Sequence, residues 1–425
     1  MTKKLNLILN EVLERVNPSQ KELETIEESL RKFILNLNKR IKKLKIDAEI
    51  FVGGSFSKKT LIKKNLYDID LFLRYGKKHK EEEFRKLSKK ILRFLRGVSI
   101  VHGSRDYFRV KGNSFFFFEV VPVRMIKTPK EAVNITDLSY LHFKYINKKI
   151  KNKKILDEIK LAKAFCHATK TYGAESYVKG FSGYSLELLV YYFGGFEKFI
   201  KALSKKLNKK MVIDIERDYK NSDVLIDMNG SKLDSPIILV DPTFKARNVL
   251  AALSEETFEK FQKSVRLFLK NPSIEFFVPK RIDFQKIENE SIKKEFKFLG
   301  LKLKTKKVKG DIAGAKLLKF FNHLSNEFGK YFEVKSKEFE YIEGKAGMGY
   351  FVLKPRGEIK FNGPQIKDEK NALKFRTEHK IIYEDKGRLC AKNKINFSPK
   401  EFLDKWKKKN KKKIKEMSII KINSF

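Results

Sequence analysis

Apolar side chains recur at helical spacing in the stretch that follows Asn17-Pro18, from Leu23 to Leu44. This repeat predicts one long helix, with Asn17 as its cap and Pro18 at its first helical position. Further on, apolar residues fall into short runs typical of strands, and a helix is predicted over 81–95. The predicted strands are Ala48–Val52, Tyr67–Arg74, Val98–Val101, Tyr107–Lys111 and Phe115–Val121. The last two flank Gly112-Asn113 and should form a hairpin, so the first 125 residues or so predict a mixed sheet with helices.

The pattern changes after residue 136, where longer apolar repeats predict a mainly helical segment. Its predicted helices cover about Leu156–Lys170, Ser182–Phe193, a stretch ending near Lys206, and Ser254–Lys270, with short strands near Val212–Ile215 and Ile237–Val240. Asn271-Pro272-Ser273 is a plausible boundary, and beyond it strands alternate with helices near 312–328 and 369–379. We therefore expect a multidomain α+β protein with domains at 1–136, 137–272 and 273–425.

Candidate chemistry lies between the first two predicted strands. Gly53-Gly54-Ser55 follows the first strand, and glycine lets a backbone approach an anion closely. A helix opening at about Ser55 would also turn free N–H groups towards phosphate. Asp68 and Asp70 alternate with apolar residues in the second strand, so they should share a face and repel each other. A shared hard cation such as Mg²⁺ would relieve that repulsion.

Glu119 is an acid within the apolar run Phe115–Val123 and is the best candidate for a third metal-binding carboxylate. Burying it alone would be costly, and a third acid would complete a two-metal site. Each feature also has a simpler interpretation: the Gly-Gly-Ser segment as a turn, Asp68 and Asp70 as surface strand residues, and Glu119 as an edge-strand acid. Their order and spacing together favour the metal site.

The composition of the chain indicates its class, its partner and its compartment. The chain has 425 residues, a net charge of +43 and 41% hydrophobic residues, including 37 Phe, which excludes global disorder. The charge favours a nucleic-acid partner, although coding bias or adaptation to a hot or saline cell is an alternative. Two cysteines fit a reducing compartment, so we expect a cytoplasmic protein. No apolar run is long enough to span a bilayer, and no membrane partner is expected.

The order Gly-Ser, two acids flanking one apolar residue, and a third acid on a later strand resembles the nucleotidyltransferase superfamily that includes DNA polymerase β and poly(A) polymerases. Further segments are similar, in the same order, to the archaeal CCA-adding enzymes. These segments are Glu119-Val-Val-Pro, Leu141-His142-Phe143-Lys144, Lys163-Ala-Phe, Tyr172-Gly-Ala-Glu175, Gly180-Phe-Ser-Gly-Tyr-Ser-Leu-Glu-Leu-Leu189, Val240-Asp-Pro242, Arg247-Asn-Val249 and Gly363-Pro364.

The resemblance implies a polymerase β-like catalytic domain, a helical central domain that binds nucleotide and tRNA, and a ferredoxin-like α+β C-terminal domain that binds tRNA. It implies that C, C and A are added to the tRNA 3′ end from CTP and ATP without a template. Asp68, Asp70 and Glu119 would be catalytic and hold two Mg²⁺ ions. The implied nucleotide-binding residues are Gly54, Ser55, His142, Lys163, Tyr172 and Arg247, with Arg247 reading the base. The family generally has Asp where Glu119 stands and often Glu where Asp68 stands.

Other interpretations of these residues stay open. His142 could be a structural histidine, Tyr172 could pack at a helix end, and Arg247 could contact a phosphate. The expected partners are CTP, ATP and the acceptor stem and elbow of tRNA, with Lys405–Lys415 either on phosphates or on a solvated helix face. The oligomeric state is open, and a homodimer is one option. The rival functions are a poly(A)- or oligoadenylate-type polymerase that uses ATP alone and a non-catalytic basic RNA-binding protein.

Overall fold

The computed structural model describes the whole chain except residues 1, 2, 104, 220–223, 229, 307–309, 343–345 and 380. It divides into two compact units, Met1–Lys280 and Arg281–Phe425. In the described part of the chain, no helix combines the length and the apolar character needed to cross a membrane.

The first unit combines strands and helices. Its helices are α1 Lys3–Val16, α2 Gln20–Lys43, α3 Gly54–Ser57, α4 Glu81–Leu92, α5 Ser139–Lys149, α6 Lys153–Ala168, α7 Gly183–Phe193, α8 Phe196–Leu203, α9 Val224–Asp227 and α10 Glu255–Lys270. Its strands are β1 Ala48–Val52, β2 Tyr67–Tyr75, β3 Ser99–Val101, β4 Tyr107–Lys111, β5 Phe116–Arg124, β6 Met211–Ile213, β7 Ile237–Asp241 and β8 Phe244–Asn248.

The mixed sheet predicted for the first 125 residues is present, with strand order β1-β2-β5-β4-β3. The strands β2 and β5 are parallel, and the other neighbours are antiparallel, including the predicted β4–β5 hairpin. One face is apolar: Ile69 and Leu71 of β2 share a core with Phe33 of α2, whose ring stacks on Phe118 at 4.3 Å. Because side chains alternate along a strand, Asp68 and Asp70 lie on the opposite face.

The helical part has a separate core around Phe165 of α6. The Phe165 ring centroid lies 5.6–6.0 Å from those of Phe196, Phe261 and Phe277. The same core contains Leu5, Leu9 and Val12 of α1, so the first helix packs with the helical part rather than with the sheet. Polar caps set two helix starts: Ser182 accepts from Ser185 N before α7, and Ser254 accepts from Thr257 N before α10.

The start of the chain corrects one prediction. A separate helix, α1, precedes the predicted one, and the cap of α2 is Ser19 rather than Asn17. Ser19 accepts from the backbone N–H of Glu22, whose carboxylate accepts from the N–H of Ser19, forming a capping box. This reciprocal pair satisfies two N–H groups at the helix start, whereas Asn17 donates its own N–H back to Leu13 of α1.

The second unit has two antiparallel sheets, ordered β10-β11-β9-β15 and β12-β14-β13. Its strands are β9 Lys297–Thr305, β10 Phe332–Ile342, β11 Ala346–Pro355, β12 Glu358–Gln365, β13 Ile382–Asp385, β14 Arg388–Lys394 and β15 Ile419–Ser424. Its helices are α11 Phe284–Lys293, α12 Gly310–Gly329, α13 Glu369–Glu378, α14 Pro399–Lys409 and α15 Lys411–Glu416.

The larger sheet of this unit is covered by α12, whose Phe321 stacks on Phe351 of β11 at 4.4 Å. The Lys405–Lys415 run falls on α14 and α15. Trp406 packs into the core, and most of the lysines around it are exposed. The run therefore has one apolar and one cationic side, which fits both interpretations of it.

Candidate active site

The three predicted metal-binding acids lie on one face of the first-unit sheet. Asp70 of β2 pairs in parallel register with Glu119 of β5, and Asp68 lies two residues before Asp70 on the same face. The Asp68 side chain is 40% exposed, whereas that of Glu119 is 14% exposed. The structure thus brings all three carboxylates to the same part of the sheet.

Gly54 lies directly against this acidic face. It has a φ of +67°, and a Cβ placed on it would lie 1.8 Å from Oδ2 of Asp70. The predicted helix after the glycine pair is only one turn long, α3, so Ser55 stands in that turn beside the acids. The backbone N–H of Gly53 donates to the carbonyl oxygen of Asp70 at 3.0 Å and fixes the turn to β2. Only glycine fits the cradle above Asp70.

Burial and neighbouring carboxylates raise the pKa values of Asp70 and Glu119. Burial, and then the charge of Asp68, raises the pKa of Asp70 to about 6. Burial, and then Asp68 and Asp70, raises the pKa of Glu119 to about 7. Burial and repulsion between the carboxylates both disfavour their charged forms, so a divalent cation would relieve both costs. The oxygen donors and the glycine cradle therefore fit a hard cation.

Arg109 is a member of this cluster that the sequence analysis missed. It stands opposite Glu119 in the β4–β5 hairpin, and its Nε and Nη2 donate to Oε1 of Glu119 at 2.9 and 2.5 Å. Its Nη2 also lies 3.8 Å from Oδ1 of Asp68.

In the described part of the chain, no three His, Cys, Asp or Glu side chains are placed so that together they could hold a metal ion. Glu119 faces a guanidinium group here, so its carboxylate would have to turn to join Asp68 and Asp70 around a cation.

Lys163 belongs to a buried ionic network. Its Nζ donates to Oε1 of Glu187 at 2.9 Å and to Oγ1 of Thr60 at 2.7 Å. Lys58 donates to the other oxygen of Glu187 at 2.6 Å, and the side chains of Lys163 and Glu187 are 3% and 1% exposed. Burial would raise the pKa of Glu187, but Lys163 and Lys58 outweigh it and lower that pKa to about 2. Lys58, Thr60 and Glu187 were not predicted, and the network ties the segment after α3 to α6 and α7.

This network predicts acid-sensitive stability. Because the folded pKa of Glu187 lies below its usual 4.5, its contribution is present above pH 4.5 and is lost as pH falls towards 2. We expect Glu187→Gln to melt at a lower temperature than wild type at pH 7, because two buried ammonium groups lose their partner, and to lose less further stability between pH 4.5 and 2. Thermal melts of both proteins across this range check it, and equal slopes would contradict it.

Tyr172 lies close to the network at the start of α7. A Cβ on Gly183 would lie 3.0 Å from the Tyr172 hydroxyl and 3.8 Å from Nζ of Lys163, so both side chains reach the same turn. His167 stacks on the Tyr172 ring with centroids 3.8 Å apart. The isolated β-bridge between Tyr172 and Phe181 holds the segment against the start of α7.

His142 and Arg247 meet at Asp241, although they lie far apart in the sequence. Nε2 of His142 is 3.0 Å from Oδ2 of Asp241, and Nη1 of Arg247 donates to the same oxygen at 2.5 Å. The His142 ring stacks on Tyr184 at 4.0 Å, and Nζ of Lys58 lies 6.0 Å from the Tyr184 ring centroid. Lys58 thus connects this cluster to the buried network. Asp241 lies within the Val240-Asp-Pro242 segment, and no role was predicted for it.

Comparisons with known proteins bear on the family of the chain. The family model for the second domain of tRNA nucleotidyltransferases matches residues 157–278. A crystal structure of the Cid1 poly(U) polymerase with Mg and 3′-dATP bound superposes with a TM-score of 0.50 and 14% identity, covering 66% of this chain and all of the other, a likeness that concerns the fold alone. The family model, together with the relatives described next, defines the class of the protein as a nucleotidyltransferase.

Similar proteins of known function identify the family within this class. The CCA-adding enzyme of Nanoarchaeum equitans is 31% identical over 345 residues, which are 80% of this chain and 82% of that protein. The CCA-adding enzyme of Methanococcus maripaludis strain C7 is 27% identical over 413 residues, 92% of this chain and 89% of the other. The chain belongs to the family of CCA-adding enzymes and is a CCA tRNA nucleotidyltransferase.

Proposed function

We propose that this protein adds C, C and A in turn to the 3′ end of tRNA from CTP and ATP, without a nucleic-acid template and with release of pyrophosphate. The observation that carries the proposal is the shared face of Asp68, Asp70 and Glu119 with Gly54 against the Asp70 carboxylate. Phosphate groups and carboxylates repel each other, so a surface that presents both a glycine turn and acids suits a cation-bridged triphosphate.

Asp68, Asp70 and Glu119 would hold two Mg²⁺ ions, which when bound supply charge stabilisation for the attacking tRNA 3′ hydroxyl and for the leaving pyrophosphate. The acids would orient the reacting groups, and the Glu119 carboxylate would turn from its two hydrogen bonds with Arg109 to join the other acids. Gly54 and Ser55 would bind the triphosphate through the turn of α3. Catalysis by this chain would then rest mainly on positioning and electrostatics, as in phosphoryl transfer generally.

The remaining predicted residues would surround the nucleotide. Lys163 and Tyr172 meet at the start of α7, where they would lie near the triphosphate and sugar. Lys163 is tied to Glu187 and Thr60, so it would act there mainly as a fixed positive charge. His142 would lie beside the sugar, and Arg247 would read the incoming base through hydrogen bonds.

We also propose domains at 1–136, 137–272 and 273–425. Separate apolar cores in the sheet and helical parts of the first unit support a division near residue 136, although α1 packs in the helical core. The β9-α12-β10-β11 and α14-β15 order, with sheet order β10-β11-β9-β15, supports a ferredoxin-like C-terminal domain. Basic side chains of the central and C-terminal domains would hold the acceptor stem and elbow of tRNA, because A-form RNA offers phosphates and 2′-hydroxyls rather than readable major-groove edges.

An extension assay tests the function. Purified protein is incubated with a tRNA transcript that lacks CCA, with Mg²⁺, CTP and ATP together and each nucleotide alone, and the products are resolved at single-nucleotide resolution. We expect two additions with CTP alone and a stop after three with both. A growing A tail with ATP alone would indicate the poly(A)-type alternative, and no addition under any Mg²⁺ condition would indicate a non-catalytic RNA-binding protein. A transcript that already ends in CCA is the matched control and should not be extended.

A further inference from the structure

Asp241 is a buried carboxylate that receives hydrogen bonds from three separate elements. Its Oδ2 faces Nε2 of His142 on α5 and Nη1 of Arg247 on β8. Its Oδ1 accepts from the Tyr184 hydroxyl on α7 at 3.2 Å and from the backbone N–H and hydroxyl of Thr243 at 2.9 and 2.8 Å. The Asp241 side chain is 0% exposed, so these partners replace its entire hydration shell.

The partners leave Asp241 ionised and His142 uncharged. Burial would raise the pKa of Asp241, but the hydrogen bond from His142 and the charge of Arg247 outweigh it and hold that pKa well below its usual range. Burial lowers the pKa of His142, which then donates from Nε2 as a neutral ring. Among the residues that the structure describes, the one full positive charge in contact with Asp241 is therefore that of Arg247.

Arg247 keeps a donor available for a ligand. Its side chain is 18% exposed, and its Nε is buried without a hydrogen-bond partner among the residues that the structure describes. A buried N–H of this kind is costly unless an acceptor arrives from outside the chain. Since Nη1 is fixed on Asp241, the direction of the remaining guanidinium donors is fixed as well.

We infer that Asp241 is the positioning residue that sets base selectivity, by aiming the guanidinium of Arg247 at the incoming base. The inference rests on the proposed function, in which Arg247 reads that base. Cytosine and adenine present a ring nitrogen acceptor beside an amino group, whereas uracil and guanine present a ring N–H at that edge. A guanidinium donor held in one orientation accepts the first pair of bases and repels the second, because two donors would then face each other.

An amide cannot replace this carboxylate. Both oxygens of Asp241 receive only donors, so either orientation of an Asn side chain turns its NH₂ group towards donors. If the NH₂ faced Arg247, the guanidinium would be pushed away. If it faced Tyr184 and Thr243, the amide oxygen would still hold Arg247 without a charge.

The experiment measures single-nucleotide incorporation for wild type, Asp241→Asn, Arg247→Ala and the double variant. The readouts are the kcat/KM ratio of CTP over UTP on tRNA lacking CCA, and of ATP over GTP on tRNA ending in CC. We expect Asp241→Asn to lower both ratios by about tenfold or more, and the double variant to lie within about twofold of Arg247→Ala. Equal loss for all four nucleotides, or full additivity in the double variant, would overturn the inference.

Two further variants distinguish a change in base selectivity from a loss of folding. Asp137→Asn is a matched control, because Asp137 is also fully buried and accepts from Arg105 and from the backbone N–H groups of Arg124, Val133 and Asn134. It should lower the melting temperature and leave both ratios unchanged.

If Asp241→Asn does not fold, the second variant is Tyr184→Phe, which removes one hydrogen-bond donor to Asp241 and keeps the ring on His142. It should lower both ratios about twofold to threefold. Unchanged ratios in Tyr184→Phe would then count against the inference. A wild-type protein that incorporates UTP as readily as CTP would instead overturn the proposed function.

Discussion

Replacing Asp70 with Asn should lower the rate of nucleotide addition about a thousandfold or more, while the melting temperature stays the same or rises. A thousandfold loss corresponds to about 4 kcal/mol of transition-state stabilisation, which a lost metal ligand can account for. In contrast to the activity, the free energy of unfolding should stay the same or rise. Burial and Asp68 raise the pKa of Asp70 to about 6, so its ionised form costs folding free energy above that pH, and the neutral amide removes this cost.

The pairing of lost activity with unchanged stability separates a functional carboxylate from a structural one. Glu49→Gln is the matched control, because Glu49 pairs with Arg74 of β2 and lies outside the proposed metal and nucleotide residues. It should retain wild-type activity. Filter binding of labelled tRNA should give similar affinity for wild type and Asp70→Asn. An Asp70→Asn protein that still extends tRNA at near the wild-type rate would refute the assignment of Asp70.

Gly54→Ala should reduce nucleotide addition about a hundredfold or more, even though only a methyl group is added. The new Cβ would lie 1.8 Å from Oδ2 of Asp70, so either the Asp70 carboxylate or the α3 turn must move. A misplacement of about 1 Å at a reacting centre is enough to cost about a hundredfold in rate. Steady-state extension of tRNA at saturating CTP measures the loss.

The Gly97→Ala variant distinguishes the steric clash with Asp70 from the strain of a left-handed backbone conformation. Gly97 has a φ of +72°, close to the +67° of Gly54, but a Cβ there meets nothing within 4 Å. It should cost about 1 kcal/mol of stability for the left-handed backbone and leave activity unchanged. If Gly97→Ala and Gly54→Ala reduced activity alike, the contact with Asp70 would not be the cause.

Local patterns in the sequence were enough to predict most of the helices and strands that form the candidate site. Alternation in Tyr67–Leu71 placed Asp68 and Asp70 on one face, and Gly112-Asn113 marked the β4–β5 hairpin. The helix starts at Ser182 and Ser254 were also correct. Local prediction was wrong at the start of the chain, where the capping box of Ser19 overrides Asn17, and it missed β8, which carries Arg247. β8 is short and has a polar interior, so its pairing with β7 leaves little periodic signal.

The sequence by itself determined that Asp68 and Asp70 share one face of a strand, because that follows from residue type and from the two-residue period of a strand. Only the tertiary structure decided their partners: Arg109 on Glu119, Lys58 and Lys163 on Glu187, and Asp241 beneath His142 and Arg247. Burying a charge requires a counter-charge or donors, and here these come from side chains 10 to 129 positions away. No local period encodes such a pairing, since it exists only once the sheet and the helices have packed.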